Sequence, residues 1–281
     1  MRDYEYMSPS FLKEESPEDI MSIRFSADGL SFCVRNAAGA VRAFGREKFD
    51  NPGKDDCFWI VRRMLAEDPY LSLPYRFLSV QAEKREKLLI PGELFDLKTL
   101  PVWMSTVQDV SDDDRFIAGE LACADALLVS SFPSHFTDFM ESMFKNYALG
   151  NSALSFIKNS VGGADAAGGI FHAFIDLHGR YFDILLTCGN KIVFFNAFDS
   201  DAPADVLYYT LRVFKASGFP PDTDVAVSGC FSEKEKLMEL LVKYMPHVRS
   251  ASCREWMLFC PEHPGYASEN VHLINDGLCV L

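Results

Sequence analysis

Two stretches of this chain, 150 residues apart, follow the same pattern of short apolar runs and tight turns, and this repetition constrains the fold most. The later stretch, Ile170 to Asp199, breaks at His178-Gly179-Arg180 and at Cys188-Gly189-Asn190. Apolar runs of strand length between glycine-containing turns are typical of β-hairpins. The stretch therefore predicts three antiparallel strands joined by two turns.

The earlier stretch runs from Met21 to Phe44 and contains its own pair of turns. When Gly29 is aligned with Gly179, Gly39 falls on Gly189, because both pairs are 150 residues apart. A helix and a returning strand are predicted after each triple of strands. They are a helix over 55–67 with a strand over 75–80, and a helix over 204–217 with a strand over 224–228. The order of elements predicts two copies of one strand-strand-strand-helix-strand unit.

The length of the chain agrees with a duplicated domain, since 281 residues suit two units of roughly 100 to 200 residues each. Hydrophobic residues make up 48% of the chain and supply ample core for both. Four glycines in eight residues favour a connector over 162–169. We therefore predict an α/β protein with an N-terminal arm over 1–20, a first lobe over 21–161, this connector, and a second lobe over 170–281.

Several further elements are predicted outside the repeated units. A capping box, Ser232 with Glu235 three residues later, indicates the start of one helix. The predicted elements are a strand near 126–130, helices over 133–147, 153–159, 232–244 and 254–259, and a last strand over 271–274.

The charge of the chain argues against two classes of partner. A net charge of −13 disfavours binding to nucleic acids and to anionic membranes, both of which need a basic surface. The densest basic cluster, Lys84, Arg85 and Lys87, is interleaved with Glu83 and Glu86, which indicates a solvated face and not a phosphate track. We expect no nucleic-acid partner.

Cysteine usage and apolar patterning bear on the compartment. The eight cysteines are scattered without C-x-x-C pairs, as in proteins of reducing compartments. The N-terminus has no apolar signal-peptide region, and no apolar run is long enough to span a bilayer. We expect a cytoplasmic protein without membrane insertion.

The hairpin Asp176-Leu177-His178-Gly179-Arg180-Tyr181-Phe182-Asp183, set in a duplicated unit, resembles the superfamily of actin, the 70-kDa heat-shock chaperones and the sugar kinases. In that superfamily each lobe contributes one D-x-G hairpin to the phosphates of ATP, and a later G-G holds the adenosine. The resemblance implies two RNase H-like (actin-like ATPase) lobes, each a mixed sheet with a three-strand meander flanked by helices. It also implies ATP and Mg²⁺ as the cofactors to test.

The chain departs from the superfamily motifs at several positions. His178 stands where the first glycine belongs, and bulky residues follow Gly179. Ser26 takes the aspartate position of the first lobe, and the adenosine motif ends in Gly-Cys. Asp176 is the candidate catalytic residue if the protein is active. Asp176 is also a candidate Mg²⁺ ligand, and Asp183 is a second one. The nucleotide- or phosphate-binding candidates are Ser26, Asp28, Gly29, Asp176, His178, Gly179, Arg180, Ser228, Gly229 and Cys230.

A longer similarity extends over nearly the full chain. The runs FIDLHGRYFDILLTCGNKIVFFNAF and VSGCFSEKE look like an uncharacterised bacterial family with the actin-like fold. Similar folds serve cell division and type IV pilus assembly, so the resemblance implies a protein partner. We predict a degenerate nucleotide-binding scaffold or adapter. An active Mg-ATP-dependent ATPase or kinase is the alternative.

A metal-dependent nuclease is a third hypothesis, because RNase H-like nucleases also begin with a meander that carries an aspartate. Two-metal hydrolysis needs carboxylates that converge on ions about 3.5 to 4 Å apart. Asp176, Asp183 and Asp224 are the candidates by order in the chain. The acidic balance of the chain disfavours this hypothesis.

Aromatic residues crowd one hairpin and the helix after it. Alternation along a strand sends Phe194 and Phe195 to opposite faces of the sheet. One face belongs to the core, and the other is predicted to lie at the lobe junction, at a protein-protein surface, or under a second layer of helix. The cluster consists of Phe194, Phe195, Phe198, Tyr208 and Tyr209.

Overall fold

The computed structural model describes residues 6–8, 11–49, 56–162, 169–253, 258–260 and 264–276. The predicted connector over 162–169 lies almost entirely outside this part of the chain, as does most of the predicted helix over 254–259. Within the described residues, strands form two large mixed sheets and one small antiparallel sheet.

The first lobe contains strands β1 to β9 and helices α1 to α4. The strands are β1 (Tyr6–Met7), β2 (Ile20–Ser26), β3 (Gly29–Arg35), β4 (Val41–Lys48), β5 (Phe77–Ala82), β6 (Leu88–Pro91), β7 (Asp114–Leu121), β8 (Ala126–Pro133) and β9 (Tyr147–Asn151). The helices are α1 (Asp56–Glu67), α2 (Leu100–Met104), α3 (Ser134–Met143) and α4 (Ser152–Gly162).

The second lobe and the segment after it contain five strands and four helices among the described residues. The strands are β10 (Phe171–His178), β11 (Tyr181–Cys188), β12 (Lys191–Asp199), β13 (Asp224–Cys230) and β14 (Val248–Ser250). The helices are α5 (Pro203–Ser217), α6 (Lys234–Tyr244), α7 (Pro264–Glu269) and α8 (Val271–Asn275). None of the described helices is long and apolar enough to cross a bilayer.

The two large sheets share one topology. Their strand orders are β4-β3-β2-β5-β9, with β1 added at the edge, and β12-β11-β10-β13-β14. In each sheet three antiparallel strands are followed by two parallel ones, and a helix makes the crossover to the first parallel strand. The predicted duplication of a strand-strand-strand-helix-strand unit is therefore confirmed. The small sheet, β6-β8-β7, is inserted between β5 and β9 of the first lobe.

Each large sheet has an apolar core on one face. Phe25 and Phe32 pack with residues of α1 and α3 in the first lobe. Ile175 and Phe182 pack with residues of α5 and α6 in the second. The amphipathic helices therefore cover the face of each meander that the apolar alternation predicts.

A third core joins the lobes across the opposite face of the second sheet. Phe156 of α4 and Leu128 of β8 pack there with Leu185 of β11 and with Phe195. Phe194, one residue earlier, packs instead in the second-lobe core. The prediction that these two phenylalanines point to opposite faces is confirmed, and the second face lies at the lobe junction.

The segment after β14 returns to the first lobe. Leu273 and Ile274 of α8 are buried with Cys33 and Phe44 of the first sheet. The predicted strand over 271–274 is wrong, because the Ile274 amide bonds to the Asn270 carbonyl and closes a helical turn. A four-residue apolar run does not separate helix from strand by its period.

Two helix boundaries also differ from prediction, for reasons of tertiary structure. Helix α6 begins after Glu233 without a side-chain cap, so the predicted capping box of Ser232 is not formed. The helix predicted over 133–147 ends at Met143, because residues 147–151 pair with β5 as a parallel strand.

Candidate functional site

The hairpin turns of the two lobes face one cleft. The β2–β3 turn is formed by residues 27–28 and the β10–β11 turn by residues 179–180. A cavity of about 810 Å³ lies between them, and the loop that follows β5 closes one side. The residues that line it from the two hairpins include Ser26, Ala27, Asp28, His178, Arg180 and Tyr181.

The structure shifts the internal alignment of the hairpins by two residues. Because both turns contain two residues, Ser26 corresponds to His178, and Arg24 corresponds to Asp176. Gly29 is the first residue of β3, where a Cβ would clash with the Glu47 carbonyl oxygen, and Gly179 sits in the turn with a φ of +78°. The two glycines serve different purposes, so aligning them gave Ser26 as the counterpart of Asp176 in error.

Arg24 therefore occupies the position in the first lobe that Asp176 holds in the second. Its Nη2 lies 3.7 Å from Asp176 Oδ2 across the lobe junction. Its Nε donates a hydrogen bond of 2.7 Å to Glu83 Oε2 from the loop after β5. A guanidinium held in this way is buried with its charge paired on both sides.

His178 is clamped between carboxylates from both lobes. Its Nδ1 lies 2.9 Å from Glu83 Oε1 and its Nε2 lies 3.1 Å from Asp183 Oδ2. Only the imidazolium form donates from both nitrogens, so it is the form in which the ring can hydrogen-bond to both carboxylates. Burial alone would lower the pKa of His178, but the carboxylates of Glu83 and Asp176 and the ring's hydrogen bonds raise it to about 9.

Asp176 lies completely buried beneath these groups. Ser228 Oγ, on the neighbouring parallel strand, donates to its Oδ1 at 2.8 Å. His272 Nε2 of α8 lies 2.9 Å from the same hydroxyl. Burial would raise the pKa of Asp176, but His178 and Arg24 hold it below its usual value. Burial lowers the pKa of His272 to about 4, so its imidazole is neutral near pH 7.

Lys87 completes the cluster from the first lobe. Its Nζ lies 2.8 Å from Asp183 Oδ1, and both side chains are almost completely buried. The ammonium also lies over the Tyr181 ring, 5.1 Å from its centroid. With Lys87 included, three cations face three carboxylates. We call this set the junction cluster: Arg24, Glu83, Lys87, Asp176, His178 and Asp183.

The predicted nucleotide-site residues do not all line the cavity. Four of them line the cavity: Ser26, Asp28, His178 and Arg180. Asp176 and Ser228 lie buried below it. Gly229 has a φ of +81° and packs so tightly on β10 that a Cβ would clash with the Leu177 carbonyl oxygen. Gly29, Gly179 and Cys230 are not among the cavity-lining residues.

The residues around Asp176 and Asp183 do not fit Mg-ATP, because groups of the protein already surround both carboxylates. Asp176 is enclosed by Ser228, Arg24 and His178, and Asp183 is paired with Lys87 and His178. Each carboxylate has two cationic side chains of the protein within 4 Å, where a metal ion would have to supply the positive charge. The ion pairs between the hairpins join the two lobes.

The carboxylates proposed for a nuclease do not converge either. Asp176 and Asp183 are cross-strand neighbours, but Asp224 pairs with His172, four residues from the Asp176–Ser228 pair. At about 3.3 Å per residue, that separation is about 13 Å along the sheet. Among the described residues, no group of three or more His, Cys, Asp or Glu side chains is arranged to hold a metal ion.

Sequence reasoning missed half of the junction cluster. The interpretation of residues 83–87 as a solvated face is wrong for Glu83 and Lys87, whose side chains are 16% and 2% exposed. The aligned turn lengths of the two hairpins would have identified Arg24 as the counterpart of Asp176. No local pattern singled out His272, which reaches the site from α8.

Comparison with solved structures supports the architecture described above. The chain matches a Bacteroides thetaiotaomicron protein with an actin-like ATPase fold and unknown function, with a TM-score of 0.75 and 18% identity, over 85% of this chain and 92% of that chain. It also matches a chain of the PilM–PilN type IV pilus biogenesis complex, with a TM-score of 0.62 and 10% identity, over 92% of this chain and 98% of that chain. At these identities the likeness establishes the fold alone, and the predicted pair of actin-like lobes is confirmed.

Comparison with sequences gives the family. No curated protein sequence matches the chain. The profile of one family, described as "Protein of unknown function (DUF3822)", matches residues 8–248. The predicted resemblance to an uncharacterised family with the actin-like fold is confirmed, and the chain belongs to the DUF3822 family.

Proposed function

We propose that this protein is a scaffold or adapter that retains the actin-like fold, does not hydrolyse ATP, and acts through a protein partner. The junction cluster carries this proposal. Phosphoryl transfer depends on carboxylates and cations that reach the metal ion and the phosphate oxygens. Here Asp176 is fully buried, and ion pairs across the lobes join Arg24 to Asp176 and Glu83 to His178.

The charge around the cavity supports the same conclusion. A triphosphate is strongly anionic and needs a surplus of donors and positive charge. The cavity instead has five carboxylates against four cationic groups. These are Asp28, Glu83, Glu86, Asp109 and Asp199 against Lys84, Arg85, His178 and Arg180. Arg85 pairs with Asp199 at 2.6 Å, and Lys84 Nζ donates to the Ser131 carbonyl, so two of the cations are already engaged.

Two further observations support a scaffold that works with a partner. The core shared by α4, β8 and the second sheet holds the lobes in one arrangement, which suits a binding surface better than a nucleotide-driven clamp. A chain of similar fold belongs to the PilM–PilN complex, which is a protein-protein assembly. We also propose a cytoplasmic location, since Cys33, Cys188 and Cys230 are free thiols.

A phosphate-release assay tests the proposal. The purified protein is incubated with Mg-ATP beside an Asp176→Asn variant. Asp224→Asn is the matched control, because Asp224 lies exposed at the far end of the adjacent strand. We expect all three proteins to release phosphate at the rate of a buffer blank.

Turnover by the wild-type protein that Asp176→Asn abolishes and Asp224→Asn retains would overturn the proposal in favour of an ATPase. Circular dichroism spectra show whether the Asp176 variant is folded. If the Asp176→Asn variant is not folded, sustained ATP turnover by both the wild-type and the Asp224→Asn proteins is enough to overturn the scaffold proposal.

A further inference from the structure

An exposed apolar surface lies beside the small sheet, in the segment between β6 and β7. Four large apolar side chains within ten residues of chain point to solvent there. We call them the α2 surface: Leu94, Leu97, Val102 and Trp103. Leu97 and Val102 are 70% and 71% exposed, so neither contributes to a core. Clustered exposed apolar side chains in a monomer mark an interaction site more often than isolated ones do.

Helix α2 shows why these residues are not needed for folding. It buries Leu100 and Met104, one turn apart, in a small core with Ile90 and Val129 of the small sheet. Val102 lies two residues after Leu100, on the opposite side of the helix from that buried stripe, and Trp103 lies at the edge of the stripe with 42% exposure. The helix is anchored by one face and presents a second apolar face outward.

The same segment carries a one-sided charge. Five exposed carboxylates between residues 93 and 113 accompany a single lysine, Lys98. The carboxylates belong to Glu93, Asp96, Asp109, Asp112 and Asp113. An exposed apolar surface on an acidic segment is complementary to a partner segment with apolar anchors and basic flanks.

We infer that the α2 surface binds a basic amphipathic segment of a partner protein. This inference deepens the proposed scaffold function, since it names the surface and the chemistry of the partner. A second copy of the chain fits poorly, because a two-fold interface would place these carboxylates against their own equivalents. An anionic membrane is repelled by the same carboxylates.

The binding test uses a fluorescein-labelled peptide of leucine and lysine patterned as an amphipathic helix, and a leucine-glutamate peptide of the same pattern. Fluorescence anisotropy with the full-length protein measures both affinities. We expect the leucine-lysine peptide to bind with an affinity that decreases as salt is added. We expect no binding of the leucine-glutamate peptide.

Two matched pairs of variants locate the binding site. Leu97→Ser with Val102→Ser is compared with Val193→Ser and Val242→Ser, which are exposed valines of the second lobe. Asp112→Asn with Asp113→Asn is compared with Asp222→Asn and Asp224→Asn, which are also exposed. The α2-surface valine and leucine changes should weaken binding at least about tenfold, and each control pair less than about twofold.

The inference is overturned if the wild-type protein does not bind the leucine-lysine peptide, if the leucine-glutamate peptide binds equally, or if the control pairs lose as much affinity. It is also overturned if sedimentation shows a dimer that the Leu97→Ser and Val102→Ser changes dissociate. If the peptide does not bind and the protein does not hydrolyse ATP, the inference about the α2 surface fails and the scaffold proposal stands. If the protein hydrolyses ATP and the peptide binds at the α2 surface, the scaffold proposal fails and the binding surface stands.

Discussion

The imidazolium of His178 joins the two lobes through both edges of its ring. Glu83 reaches it from the first lobe and Asp183 from the second, and Arg24 Nη2 approaches within 3.0 Å of Nδ1. Two cations come this close only because carboxylates surround them. The sequence analysis placed His178 at a glycine position of the phosphate hairpin and among the binding candidates. Glu83 lies 95 positions away along the chain, so no local pattern could indicate that His178 pairs with it across the lobes.

Replacing His178 should destabilise the protein strongly. In a His178→Gln variant the buried carboxylates of Glu83 and Asp183 lose a cationic partner, and we expect a loss of about 3 to 5 kcal/mol in the free energy of unfolding. Urea denaturation measures the loss. His247→Gln, at an exposed position, is the control and should change stability by less than about 0.5 kcal/mol. Equal effects of the two changes would contradict the role of the cluster.

The raised pKa of His178 predicts a pH dependence with a definite sign. The folded-state pKa is about 9 against a usual 6.5, so the folded protein keeps a proton that the unfolded chain releases. This contribution is complete below pH 6.5 and is lost as pH rises through 9, a decrease approaching about 3 kcal/mol. The groups that face the ring are the carboxylates of Glu83, Asp176 and Asp183, with Arg24 and Tyr181.

Urea denaturation of the wild-type and His178→Gln proteins between pH 6.5 and 9.5 checks this prediction. The difference in unfolding free energy between the two proteins should shrink across that range. A difference that stays constant would mean that His178 is not protonated in the folded state.

At the scale of elements, turn geometry explains both the success and the error of the sequence interpretation. Glycine positions correctly predicted two meanders, because each meander needs close backbone approaches. They misaligned the meanders by two residues, because Gly29 relieves a contact with β4 while Gly179 provides a left-handed turn. Long amphipathic helices such as α1 and α5 were predicted within about two residues. Strand β9 and helix α8 were not, since tertiary packing decides the state of such short segments.

Glycine 229 gives an element-scale prediction with a built-in control. An alanine at Gly229 would clash with the Leu177 backbone and come 2.8 Å from Asp176 Oδ1, at a φ of +81°. An alanine at Gly218, where φ is +69°, meets no atom within 4 Å. We expect Gly229→Ala to cost about 3 kcal/mol or more and Gly218→Ala about 1 to 2 kcal/mol. Thermal and urea unfolding measure both, and similar costs would show that β10 and β13 are not packed this closely.

At the scale of the whole molecule, the lobes are not independent units. The core around Phe156 and Leu185 spans both of them, helix α8 packs on the first sheet, and the junction cluster pairs their charges. The sequence predicted two lobes and a connector. It did not predict that the lobes share a core, because the hydrophobic pattern gives the buried face of each strand but not the element that covers it.

This shared core predicts a single cooperative unfolding transition. Phe156→Ala removes a side chain from the core between the lobes, and Phe214→Ala removes one from the second-lobe core. Each should cost about 3 to 5 kcal/mol and shift the same transition, seen alike by circular dichroism and tryptophan fluorescence. Two separate transitions, with Phe214→Ala moving only one of them, would mean that the lobes unfold separately.

Calorimetric titration with Mg-ATP tests whether the junction cluster has replaced the nucleotide site. The wild-type protein, Asp176→Asn and the Asp224→Asn control are titrated side by side near pH 7. We expect no saturable heat from any of the three, because the carboxylates and cations of the junction cluster are paired with one another. Saturable heat from the wild-type and control proteins that Asp176→Asn removes would contradict it.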